Sequence, residues 1–352
     1  MNPTIHDDDE LLALMLRDQE SQSGLYRPGP YWRGYQERSA KAIRRLGLAN
    51  FRSQPAIGKG FADTIATNPF QLETNPDRFK ARFLRFVSGL SKVKKIVRLY
   101  QELLDARTGS YLHYRNLYYN LQYKDYFLKR VAELPFPDTL VGNTMDCVEF
   151  DGKQYATIYL RNLLAMDTFA PLADYGAMRS VMEIGGGFGC LMHTLLSCHS
   201  NIEKLVYLDI PPMIYIATQY FKAFFGEAVT DYRQTRTMDR IRFADRPGRE
   251  IICICPWQIE KLDLNIDMLW NFASFSEMTP DIVQNYANHT KRLSSPNTVL
   301  CFNMNKLATD TTSSSQQIMD AFGDMFDFEP VEALVIDKTR HYFLGRHKDA
   351  SK

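Results

Sequence analysis

The chain has almost no net charge: 42 lysines and arginines face 41 aspartates and glutamates, leaving +1 over 352 residues. With no global field of either sign, nothing steers it toward nucleic acid. It also lacks any C-x-x-C pair. Its six cysteines, at 147, 190, 198, 253, 255 and 301, sit mostly in apolar runs, which fits buried reduced thiols better than disulfides or a zinc site. No apolar stretch nears the ~20 residues of a membrane span. The opening MNPTIHDDDELL is acidic and has no apolar signal-peptide core. The expectation is a soluble, cytoplasmic protein without a transmembrane helix. Internal repeats and long low-complexity stretches are absent too. What is present is an ordinary core-forming composition, 45% hydrophobic, and a length suited to about two domains.

The densest signal runs from Val181 to Pro212. Val181 to Ile184 is a short apolar run that ends in Gly185, Gly186, Gly187, Phe188 and Gly189. Cys190 to Cys198 then carries an apolar helical pattern. A helix that starts at a glycine turn leaves free N–H groups and partial positive charge at its N-terminus, which suits a pyrophosphate or a carboxylate. The spacing separates the two. A dinucleotide fingerprint reads G-x-G-x-x-G, whereas Gly185, Gly187 and Gly189 read G-x-G-x-G, with Glu183 just ahead. That argues against an NAD-dependent oxidoreductase. Asp209 ends the next apolar run, about 20 residues on, where an acid that bonds ribose hydroxyls is expected. Ile210, Pro211 and Pro212 follow it, Pro212 being suited to a helix start. The competing reading is a turn that merely reverses the chain, with Asp209 capping the next helix.

From about 175 onward strands and helices alternate, which predicts a parallel α/β sheet. Strands are expected at 181–184, 204–209, 250–255, 266–272 and 297–303, and helices at 189–198, 212–225, 279–293 and 314–323. A final strand pair is expected at 331–336 and 341–344. Residues 1–170 read as a mainly helical region. Within it, 77–100 is amphipathic with a basic face that includes Arg78, Lys80, Arg82 and Arg85. That face is either solvated, or a surface for a phosphorylated or lipid-linked acceptor or for peripheral membrane contact. Tyr111, Tyr114, Tyr118, Tyr119, Tyr123 and Tyr126 form core or stack on a sugar ring. Cys147 to Tyr155 reads as a hairpin turning at Asp151-Gly152.

Ligands of open α/β sheets sit beyond the carboxyl ends of the strands. There, Trp257 either lies against an adenine ring or packs in the core, and Gln258 is placed to bond the ring's edge. Asn271 and Ser274 are candidate hydrogen-bond partners for cofactor or acceptor. Glu277 is either the general base or a cap for the helix near Thr279-Pro280. His289, on that helix, is the second catalytic candidate against a structural reading; His193 and His113 are weaker ones. Arg161 either meets a cofactor carboxylate or forms a surface ion pair. No acidic cluster stands beside Asp209 and Glu277, so no metal is expected.

The E-x-G-x-G-x-G form at 183–189 resembles the first motif of class I S-adenosylmethionine-dependent methyltransferases. Together, EIGGGFG at 183–189, LDIPP at 208–212 and NFASFSEM at 271–278 resemble the sugar O-methyltransferase family, as do YWRGYQER at 31–38 and LGLANFR at 46–52. The resemblance spans about 30 to 345. It implies a Rossmann-like class I methyltransferase domain at 171–352, with a mostly parallel sheet and an antiparallel last strand. A mainly helical N-terminal domain at 1–170 would bind the acceptor. The implied cofactor is S-adenosyl-L-methionine, held by Glu183, Gly185, Gly186, Gly187, Gly189, Asp209, Ile210, Trp257, Gln258 and Asn271. The implied reaction is methyl transfer to a sugar hydroxyl of a polysaccharide, lipid-linked glycan or glycosylated metabolite. Methylation of a non-sugar molecule and a non-catalytic binding module are the alternatives, the second opposed by the intact glycine turn and Asp209.

Overall fold

The computed structural model describes residues 3–58, 123–137, 140–144, 146–305, 309, 311–334 and 340–350. The segment 77–100, His113 and Tyr111 to Tyr119 lie outside them. A small hairpin comes first among the strands, β1 (Cys147–Phe150) with β2 (Lys153–Ala156), turning at Asp151 and Gly152 as the Asp-Gly pair predicts. The main sheet has eight strands: β3 (Ser180–Ile184), β4 (Lys204–Leu208), β5 (Val229–Thr230), β6 (Glu250–Ile254), β7 (Ile266–Phe272), β8 (Ser294–Asn305), β9 (Phe326–Val331) and β10 (Arg340–His347). Their spatial order is β5-β6-β4-β3-β7-β8-β10-β9. Strands β3 to β8 pair in parallel, and β10 inserts antiparallel to both β8 and β9. The sheet is Rossmann-like, mostly parallel with an antiparallel final strand, as expected.

The parallel strands are near-continuous apolar runs because helices cover both faces. Period-two alternation sorts their side chains. Val181, Leu205, Tyr207, Ile251, Cys253, Met268 and Trp270 join one apolar cluster; Met182, Ile184, Val206, Leu208, Ile252, Ile254 and Leu269 join the other. Helices α1 (Asp9–Gln19), α2 (Pro30–Leu46), α3 (Thr157–Phe169), α4 (Cys190–Cys198) and α5 (Met213–Phe225) contribute to the first. Helices α6 (Pro280–Leu293) and α7 (Ser315–Phe322) contribute to the second. The last hairpin differs from expectation: its first strand is 326–331, not 331–336, because Phe326 is the buried residue that pairs with His347 of β10.

The described N-terminal segment is tied to the sheet. Asp8 accepts from Leu11 N and starts α1, whose Leu11, Leu12 and Met15 are buried in one cluster with Ile214 and Tyr215 of α5. Burying such side chains stabilises by ~1.5–3 kcal/mol each. Asp8 also pairs bidentately with Arg233, at 2.5 and 2.6 Å. Farther on, Tyr123 and Tyr126, partly buried, pack against a third, smaller cluster that includes Phe127, Phe150 and Leu163. Among the described residues none of the six cysteines is in a disulfide. Among the described residues no helix is long and apolar enough to cross a membrane.

Candidate active site

The chain enters the sheet at β3, fills one side through β4 and β6, then returns to the other side through β7 and β8. The reversal between β3 and β7 opens a crevice at the carboxyl ends of the strands. A cleft of about 1160 Å³, its open mouth included, lies there and is lined by the glycine turn, Asp209, Ile210, Glu277 and Arg161 among others.

The glycine turn is held from β4. Gly185 N–H donates to Leu208 O at 2.8 Å, and the Tyr207 hydroxyl donates to Gly187 O at 3.1 Å. Gly185 has φ +73°, and a Cβ there would overlap the Ser274 side chain. A Cβ on Gly186 would overlap the Glu183 carboxylate. The turn thus lies flush between two side chains and presents bare backbone to the cleft. Gly189 is the N-cap of α4.

Three carboxylates surround this backbone. Glu183 is fully buried, lines the cleft, and among the described residues has no hydrogen-bond partner on either oxygen. Burial, with Asp209 adding, holds its carboxyl well above the usual range. Asp209 accepts from Gly187 N–H at 2.9 Å and from Ile210 N–H at 2.7 Å. Burial pushes its pKa up to about 7 against those two bonds, which lower it. Glu277 follows β7, beyond Ala273, a non-glycine residue at φ +74°. Burial pushes Glu277 up to about 7 as well, while Arg340 and Trp32 pull it down. Trp32, on α2, donates its indole N–H to Glu277 Oε2 at 3.0 Å. Arg340 bonds Asn303 Oδ1 at 3.0 Å and lies 5.2 Å from the centre of the Phe272 ring.

Other expected residues lie away from the cleft lining. Gln258 is committed to local structure: its Oε1 accepts from Cys255 N–H and its amide donates to Thr235, both at 2.9 Å, capping the turn Pro256–Lys261. Trp257 is partly buried and packs edge-on against Tyr232 at 5.8 Å. Asn271 stands one layer behind the cleft. Its amide donates to Ile184 O and Ser274 Oγ, and its oxygen accepts from Phe275 N–H. It shapes the loop that carries Glu277. His289, on α6, is not among the residues that line the cleft; its Nε2 shares a 3.1 Å hydrogen bond with the Tyr26 hydroxyl. His193 is buried against Tyr220 and pushed down to about 3, so it stays neutral. Trp32 and Arg340 were missed. Trp32 stands in the conspicuous YWRGYQER segment, but nothing in the sequence connects it to Glu277; Arg340 carries no local signal. Among the described residues no group of three His, Cys, Asp or Glu side chains is placed to hold a metal.

No family model matches the chain, and no curated protein does. Among solved structures it is similar to mitomycin 7-O-methyltransferase MmcR, at 12% identity and TM-score 0.38, over 54% of this chain and 55% of that one. It is similar to PigF with SAH, at 12% and 0.39, over 54% and 56%. It is also similar to human N-acetylserotonin methyltransferase in complex with SAM, at 13% and 0.35, over 53% and 52%. The chain spans little more than half the length of each of these structures. At that level of likeness the fold class rests on the strand order described above.

Proposed function

We propose that the chain is an S-adenosylmethionine-dependent O-methyltransferase whose acceptor is a sugar hydroxyl. The observation that carries the cofactor assignment is the Gly187 N–H. In a dinucleotide site such turn amides face a pyrophosphate; here this one is taken by the Asp209 carboxylate. Glu183 adds a second carboxylate, unpartnered and fully buried, against the same turn. Such a wall leaves the Gly187 amide unavailable to a phosphate. A ligand with an ammonium and a sulfonium is attracted, and the first satisfies an otherwise costly buried carboxylate.

Glu183, Gly185 to Gly189, Asp209 and Ile210 would hold that cofactor, Asp209 through the ribose hydroxyls. Arg161 lines the cleft and makes no salt bridge among the described residues, which suits it to the cofactor's carboxylate. Bound S-adenosylmethionine supplies a methyl group activated by its own sulfonium charge. The chain adds a proton acceptor. Glu277, near 7, is ionised in a large fraction of molecules at neutral pH and takes the proton that a hydroxyl gives up. Residues 1–170 would form the acceptor side, since Trp32 already reaches the cleft from α2. The sugar assignment rests on the resemblance at 31–38, 183–189, 208–212 and 271–278.

The test is a thermal melt with the demethylated product, S-adenosylhomocysteine. At one hundred times its dissociation constant the gain is ~2.7 kcal/mol, a rise of several degrees. Asp209→Ala should abolish it. No rise at millimolar product would overturn the cofactor assignment. A screen of pyranosides and nucleotide sugars, read as S-adenosylhomocysteine released, tests the acceptor; turnover with non-sugar alcohols alone would sink the sugar half.

A further inference from the structure

We infer that Trp32 is the positioning residue of the base: reaching from α2, its indole N–H fixes Glu277 Oε2 and leaves Oε1 as the oxygen that takes the proton. This rests on the reading of Glu277 as the base. The 3.0 Å bond joins residues 245 positions apart, so it exists only in the folded chain. Oε1 accepts no hydrogen bond among the described residues, and Glu277 lines the cleft. The indole is a donor only and has no second role to play at an oxygen. Its ring is held edge-on between Tyr31, at 5.5 Å, and Tyr35, at 5.2 Å, so the donor direction is fixed before any ligand arrives.

An N–H bond to a carboxylate is stronger than one to the neutral acid. Trp32 therefore favours ionised Glu277, as does Arg340 from β10. Asp209 at the end of β4 acts oppositely through its negative charge, and Tyr31 on α2 feels that of Glu277. Two of the segments that carry the resemblance, 31–38 and 271–278, meet at this bond. The N-terminal region thereby sets the protonation of the group that the sheet domain presents.

The chain has three tryptophans, at 32, 257 and 270, which makes indole 15N–1H resonances a direct readout that needs neither cofactor nor acceptor. Trp32→Phe assigns the resonance by its loss. The Trp32 signal should move downfield as pH rises from about 5 to about 9, because the bond strengthens on ionisation, with its midpoint at about 7. It should lie flat in Glu277→Gln, while the Trp257 and Trp270 signals stay in place and report an intact fold. If Glu277→Gln fails to fold, Glu277→Asp serves: the shorter acid should weaken the coupling and shrink the pH-dependent displacement. A flat Trp32 signal in the parent, or one that titrates unchanged in the Glu277 variant, overturns the inference. Once an acceptor is known, Trp32→Phe should move the acid limb of the rate profile up by about one pH unit and spare the rate at pH 9; an equal loss at every pH also overturns it. A product-induced melting shift with no titrating signal would refute this inference and leave the methyltransferase reading standing. A titrating signal with no melting shift would overturn the cofactor assignment, and with it the base role, leaving only the coupling of Trp32 to Glu277.

Discussion

One wall of the cleft comes from a single stretch of chain, residues 183–210, in which strand, glycine turn, helix, strand and acid follow in order. The facing wall is gathered from α2, the loop after β7 and the start of β10. The first is organised by backbone: Gly185 and Gly187 are tied to Leu208 and Asp209 by amide N–H groups. The second is organised by side chains, with Asn271 and Ser274 shaping the loop and Trp32 holding its acid. Binding a constant cofactor needs a constant backbone cradle, which a short motif can encode. Placing a base against a particular acceptor needs groups from several elements, and those converge only on folding.

The sharpest way to break the comparison is to remove function from one wall while keeping it in the other. Glu277→Gln should lower methyl transfer by ~10²–10⁴-fold and keep the product-induced melting shift that Asp209→Ala loses. Unchanged turnover would remove Glu277 from the base role and leave the side-chain wall without a chemical task.

Gln258→Ala tests the residues that sequence alone placed at the cofactor. It should leave Cys255 N–H and the Thr235 hydroxyl without their partner, costing ~1–3 kcal/mol and a few degrees of melting temperature. Cofactor affinity, measured by calorimetry, should stay within about twofold. A tenfold loss of affinity would return Gln258 to the cleft.

The smallest effect is a pH dependence. The folded pKa of Glu277 is raised from an ordinary 4.5 to about 7, so between those values the folded state binds more protons than the unfolded one. Its contribution to stability is greatest at low pH and falls as pH rises toward 7. Glu277→Gln removes that loss. The variant's melting temperature relative to the parent should therefore be higher at pH 8 than at pH 5. His193, depressed to about 3, has the opposite sign but is common to both proteins. An equal difference at both pH values would mean that Glu277 titrates normally.

Much of this protein was legible before folding. Period-two apolar runs marked strands β3, β4, β6 and β7 to within a residue or two, since burial on both faces leaves little choice of side chain. The glycine spacing and Asp209 marked one wall, since a turn that presents bare backbone tolerates no Cβ at Gly185 or Gly186. What the sequence could not determine was which polar groups were already spent. Gln258 and Asn271 stand where a ligand contact was expected, yet their amides are consumed by neighbours. His289 is engaged by the Tyr26 hydroxyl. Trp32 reaches Glu277 only because α2 is carried onto the mouth of the sheet. Local pattern determines where backbone goes; hydrogen-bond partners 245 positions apart are decided by tertiary packing, because no short-range property of either residue depends on the other.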